Sequence, residues 1–127
     1  MPYRYVLLTA LYCLGIFLLS SDSHPPFEEV QIPLKDKAAH IVLYGGLCAT
    51  VSLGLRRAEN RPGPWTQLLV PIGFAVLYGM SDEFHQLFVP NRTCDPADLL
   101  ADAIGATLAQ VFLCGIIWRI RLRQRVP

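Results

Sequence analysis

The chain has 127 residues, 53% hydrophobic and 17% charged, with a mean hydropathy of +0.37. That length bounds it to one domain (residues 1–127), and that hydropathy places it with membrane proteins rather than soluble or disordered chains. The net charge of +1 hides a basic tail of Arg119, Arg121, Arg123 and Arg125; such a tail can bind nucleic acid, but beside an apolar span it more often fixes orientation against anionic lipid, so no nucleic-acid partner is expected.

Four apolar segments follow one another. The first covers residues 5–19. Arg4 before it and Ser21-x-Ser23 after it also fit a secretory leader, but three remaining spans would then leave the termini on opposite sides, so a span is preferred. His24 carries no signal, and Pro25-Pro26-Phe27-Glu28-Glu29 reads as an extended loop.

Pro33-Leu34-Lys35-Asp36 marks the start of the second segment, residues 38–55. The tight turn Arg61-Pro62-Gly63-Pro64 leads into the third, residues 66–80, expected to run on as helix to about residue 88. Asp95-Pro96-Ala97-Asp98 combines an N-cap, a proline at the first helical position and an early acid. It opens the fourth segment, residues 99–118, where Gly105, Ala106 and Ala109 favour a close helix–helix approach. Each segment is near the ~20 residues that cross a bilayer, and hydrocarbon admits only helices or closed barrels. The expected fold is all-α, a four-transmembrane-helix bundle.

The loops set the orientation. Eight basic residues (Arg4, Arg56, Arg57, Arg61 and the four of the tail) fall on one side, against Lys35, Lys37 and Arg92 on the other. Both termini are therefore expected in the cytoplasm, with the protein multi-pass in the cell inner membrane. Cys13, Cys48, Cys94 and Cys114 have no C-x-x-C spacing, so neither a zinc site nor a disulfide framework follows.

Polar residues interrupt this apolar pattern at the outer helix ends. Asp36, His40 and Tyr44 are spaced four apart, with Lys37 beside them; Tyr78, Asp82, His85 and Gln86 form a second stripe; Asp95, Asp98 and Asp102 form a third. Arg92 lies in the same layer. An ionisable group near the centre of a span costs about 2.5–3.5 kcal/mol, so such groups are expected to face a protein interior or a wet cavity. Plainer roles compete with this reading. Asp95 and Asp98 can serve as caps, Lys37 can snorkel, Tyr44 and Tyr78 can anchor at the interface, Glu83 can point at water, and Arg92 can merely neutralise the acids.

The acids outnumber the permanent cations, so raised carboxyl pKa values, charged histidines or a bound cation are implied. His40 and His85 would suit zinc, but no H-E-x-x-H or comparable spacing occurs. No metal is assigned from the sequence, and the cofactor is left open. Two helix starts with Lys37 and Arg92 nearby would suit a lipid phosphate. The charged stripes stop near one face, and nothing polar lines the cytoplasmic half strongly enough to suggest a path, so transport is less favoured.

Three blocks occur in order: Asp36-Lys37-x-x-His40-x-x-x-Tyr44, then Asp82-Glu83-x-x-Gln86-x-x-x-Pro90-x-Arg92, then Asp95-x-x-Asp98-x-x-x-Asp102-x-x-Gly105. Together they resemble the VanZ-like family of small bacterial membrane proteins, over core motifs at residues 35–118. The resemblance implies a four-span membrane domain and a link to glycopeptide (teicoplanin) resistance. Asp102 departs from the asparagine it leads one to expect.

The resulting expectation is an outward-facing pocket built from Asp36, Lys37, His40, Tyr44, Asp82, Glu83, Gln86, Arg92, Asp98 and Asp102. Its partners would be the bilayer and a cell-envelope lipid or headgroup. The competing readings are an enzyme acting on a lipid phosphate, with Asp82 or His85 as base and Arg92 stabilising negative charge, and a structural membrane subunit.

Overall fold

The computed structural model describes residues 1–23 and 34–123, with side chains as far as Arg119. The expected loop over residues 25–29, Pro33 and Arg125 lie outside the described residues. Four helices account for the rest: α1 (Tyr3–Ser20), α2 (Lys35–Arg56), α3 (Pro64–Gln86) and α4 (Pro96–Arg123). No strand occurs among the described residues. Each helix contains its predicted apolar segment and extends it by a turn or less, except that α3 stops just short of the expected end and α4 continues past its own.

Local chemistry sets the ends. Pro2 is extended ahead of α1, and at the other end the Ser21 hydroxyl donates to the Phe17 carbonyl at 2.7 Å. Pro64 occupies the first turn of α3, where its missing N–H costs nothing. At α4 the predicted cap is present: the Ala97 N–H donates to Asp95 Oδ1 at 2.9 Å. The start of α2 differs, because no side chain caps it and Leu34 sits in the left-handed region at φ 62°.

The helices are not equivalent neighbours. α2, α3 and α4 pack mutually, whereas α1 lies against α2 and α3 and does not reach α4. The α2–α4 contact is the closest because small residues face each other. A Cβ on Gly105 would run into the Ile41 backbone, and one on Gly45 would press on the Gly105 carbonyl oxygen at 3.1 Å. The stripe of Gly105, Ala106 and Ala109 thus brings two backbones together. Beside it sits a small core of Ile16, Tyr44, Leu47, Cys48, Ala75 and Ala106.

The outward surface is apolar. Leu7, Leu11 and Leu14 on α1, Phe74 and Leu77 on α3, and Leu108 and Phe112 on α4 are all exposed, which inverts the arrangement of a soluble bundle. α1, α2 and residues Pro96–Arg119 of α4 are long and apolar enough to cross a membrane. α3 carries Pro71 and a polar last turn within its 23 residues.

The opposite half carries polar groups of its own, bonded to one another. Ser52 and Gln110 are fully buried there, Thr9 donates to Thr50 at 3.1 Å, and Arg56 reaches Ser52, the Gln67 side chain and Cys114. These groups bond one another across helices. They form a structural network at the far end from the acids.

Candidate functional site

The ends that carry the polar stripes meet. Ser21 after α1 reaches His85 of α3, and Lys37 of α2 reaches the start of α4. One layer therefore collects the sequence-predicted residues, but it divides them into separate groups.

The central group lies among α2, α3 and α4. Lys37 Nζ donates to Asp95 Oδ2 and to Asp98 Oδ1, both at 2.5 Å. The ammonium holds the Asp95 carboxyl below the usual carboxylate range, and the Ala97 N–H adds to this. One turn on from Lys37, His40 Nδ1 lies 2.8 Å from Asp102 Oδ1. A carboxylate can only accept there, so Nδ1 carries the hydrogen. The other ring nitrogen, Nε2, is 3.9 Å from Asp98 Oδ2. Tyr44 stacks on the His40 ring at 5.8 Å with planes 6° apart, which fixes the imidazole from one face.

Glu83 belongs to the same group. It is buried, its Oε2 accepts the Asp95 backbone N–H at 2.9 Å, and its Oε1 has no hydrogen-bond partner. The reading that it points at water is therefore replaced. α3 is flanked by both α2 and α4 at this level, so successive positions 82 and 83 are both covered. Asp102 is likewise fully buried, and its Oδ2 lacks a partner. A Cβ on Gly79 would collide with that oxygen, so glycine is what admits the Asp102 carboxylate between α3 and α4.

A second group lines a cavity of about 320 Å³ between α1, α2 and α3. Ile16, Leu19, Val42 and Leu43 give it apolar walls; Asp36, His40, Tyr44, Asp82, Gln86 and Arg92 supply polar groups. Gln86 Nε2 donates to Asp82 Oδ2 at 3.3 Å, tying these two together on α3. The buried Tyr44 hydroxyl has no hydrogen-bond partner. Asp36 is exposed at the rim.

Two expected members make their hydrogen bonds to the end of α1 and the residues just after it. His85 Nε2 is 3.0 Å from the Ser21 hydroxyl, and its ring packs on Phe17 at 4.7 Å. Arg92 donates from Nε to the Asp22 carbonyl and from Nη2 to the Leu19 carbonyl, both at 3.1 Å. It thus closes the C-terminal end of α1, where a cation is favourable, and leaves Asp82, Asp98 and Asp102 without an arginine.

A family model described as VanZ/LLP1 matches residues 5–119, all four helices. The chain belongs to the VanZ/LLP1 family. Neither a curated protein nor a solved structure matches it. For this VanZ/LLP1 chain, family membership and the apolar helices together mark a membrane protein. The site that its three motif blocks build is acidic. Glu83, Asp95, Asp98 and Asp102 surround two basic groups, Lys37 and His40, and Asp82 adds a further acid on the cavity side. Sequence reasoning counted Asp95 as a cap; it is also a partner of Lys37, and only the fold could pair them, since 58 residues separate the two.

Proposed function

We propose that the protein crosses the cell inner membrane four times, with both termini cytoplasmic, as one domain that holds a cell-envelope lipid by its headgroup. The basic-residue asymmetry of the loops supports the orientation. The exposed apolar faces of α3 support a fourth crossing. The observation that carries the function is the cavity between α1, α2 and α3, whose apolar walls meet a polar floor of His40, Asp82 and Gln86, with Arg92 at its edge. A lipid has that same division. Its acyl or prenyl chain would lie along Ile16, Leu19 and Leu43, and its headgroup would reach the polar end. Sequestering such a lipid would alter how teicoplanin meets its lipid-linked target.

The test is lipid retention. Protein purified into nanodiscs is extracted and its bound lipids are identified by mass spectrometry, for wild type and for Asp82→Asn and Arg92→Gln. The expected result is one enriched lipid class that both variants lose while remaining folded. Equal retention in all three would overturn the reading.

A second reading, an enzyme acting on a lipid phosphate, draws on the His40–Asp102 pair, in which a carboxylate orients an imidazole as in a general base. Asp82 and His85 are the other candidate bases, and Arg92 the candidate for stabilising negative charge. Incubation with envelope lipids, with and without divalent metal, separates the two readings. Product release means an enzyme, and retention without product means a binder.

A further inference from the structure

Two polar atoms of the central group, Glu83 Oε1 and His40 Nε2, have no hydrogen bond within it, nor has a third, Asp102 Oδ2, set against Gly79. Glu83 is 5% exposed, and Oε1 has no partner although Oε2 does. A buried carboxylate oxygen left bare is costly. His40 donates from Nδ1 to Asp102, so in its neutral form the Nε2 lone pair is aimed at the Asp98 carboxylate, 3.9 Å away. A lone pair facing a carboxylate is repulsive. A proton on Nε2 would turn that contact into an ion pair at 3.9 Å, too long for a hydrogen bond, and would leave Glu83 Oε1 bare.

One species satisfies both atoms. We propose that His40, Glu83 and Asp98 are three ligands of a divalent transition-metal ion of the zinc or manganese type. One atom of each lies within 4.8 Å of the other two. Bonds of about 2.1 Å in tetrahedral geometry put ligand atoms roughly 3.4 Å apart, so side-chain adjustments of about an ångström close the shell. Lys37 engages Asp98 through Oδ1, which leaves Oδ2 for the metal. Asp102 sits behind His40 as the carboxylate that sets the tautomer and orients the ring, the usual outer partner of a metal-bound imidazole. A mixed imidazole and carboxylate set selects zinc or manganese over magnesium or calcium. Three protein ligands leave a position for an outside oxygen, water or phosphate. The ligands come from three helices, which is why no local spacing announces the site.

The inference shares His40 with the cavity but draws on none of the cavity's shape or lining, so it stands apart from the lipid reading. Its test uses full-length protein without a polyhistidine tag, in nanodiscs, stripped with EDTA and then titrated with zinc chloride or manganese chloride. Bound metal is counted by mass spectrometry and affinity is taken by competition with a chromophoric chelator. One metal per chain is expected, with affinity falling at least ~100-fold in His40→Ala and Glu83→Gln and by ~10–100-fold in Asp102→Asn. Glu59→Gln, exposed between α2 and α3 at the opposite end, should bind like wild type. Wild type that takes up neither metal at micromolar concentrations overturns the proposal, whatever the variants do. So does wild-type binding that persists unchanged in folded His40→Ala and Glu83→Gln. Lipid retained by a protein that binds no metal would sink this inference alone; metal bound by a protein that retains no lipid would sink the other.

Discussion

The Gln110 side-chain amide donates to the backbone carbonyl of Gln67 at 2.6 Å, from α4 to α3. That carbonyl is the one whose helical partner would be the N–H of residue 71, and residue 71 is a proline. A side chain from the next helix therefore supplies the donor that the α3 backbone lacks. Gln67 extends the arrangement through its own side chain, accepting from Arg56 and donating to the Pro62 carbonyl. In hydrocarbon an unpaired carbonyl has no water to turn to.

Gln110→Leu should therefore destabilise the fold by about 1–2 kcal/mol, read as a lower unfolding midpoint in detergent. Pro71→Ala restores the N–H, so the loss should shrink when both changes are combined. Equal losses from Gln110→Leu in the two backgrounds would show that the bond to Gln67 is not the cause.

The Gly105–Ile41 approach makes a contrast between two glycines of the same helix. Gly105→Ala should cost about 1–3 kcal/mol through overpacking against backbone. Gly115→Ala, which meets nothing within 4 Å, should stay within about 0.5 kcal/mol of wild type. Thermal unfolding of both variants in one detergent checks the difference.

Arg92→Gln removes the guanidinium from the Leu19 and Asp22 carbonyls. Those bonds are exposed, so the loss of global stability should be below about 1 kcal/mol. Hydrogen exchange should nevertheless quicken at the last turn of α1 and not in α4. Uniformly faster exchange would mean that Arg92 supports the whole bundle.

Asp82 and His85 are three residues apart, yet one faces the cavity and the other engages Ser21. If lipid turnover is found, Asp82→Asn should lower it by about 100-fold or more, whereas His85→Gln should leave it within a few-fold of wild type. Comparable losses would return His85 to the reacting centre.

What the sequence disclosed, and what it withheld, follows from periodicity. Apolar runs located the four helices, and the Asp95-Pro96 signature located the start of α4, because these depend on neighbours in the chain. Spacing by four placed His40 with Tyr44 and Asp82 with Gln86 on shared faces, and the structure stacks or bonds both pairs. Rotation of one helix against the next was not encoded there. Glu83 turns inward because α4 covers it, His85 turns to α1, and Arg92 caps a helix that ends 72 positions before it. The polar end around Gln110 went unread for the same reason: Ser52, Gln67 and Gln110 are single polar residues in apolar runs until their helices pack.

Backbone meeting backbone at Gly105 and Ile41 leaves α2 and α4 almost no freedom to part. α1 is held through side chains instead: Ile16 in the core, and polar clips from Thr9 to Thr50, the Cys13 carbonyl to the Tyr78 hydroxyl, and Ser21 to His85. If the cavity between α1, α2 and α3 takes a guest larger than itself, α1 is the helix expected to yield, while α2 and α4 keep their places.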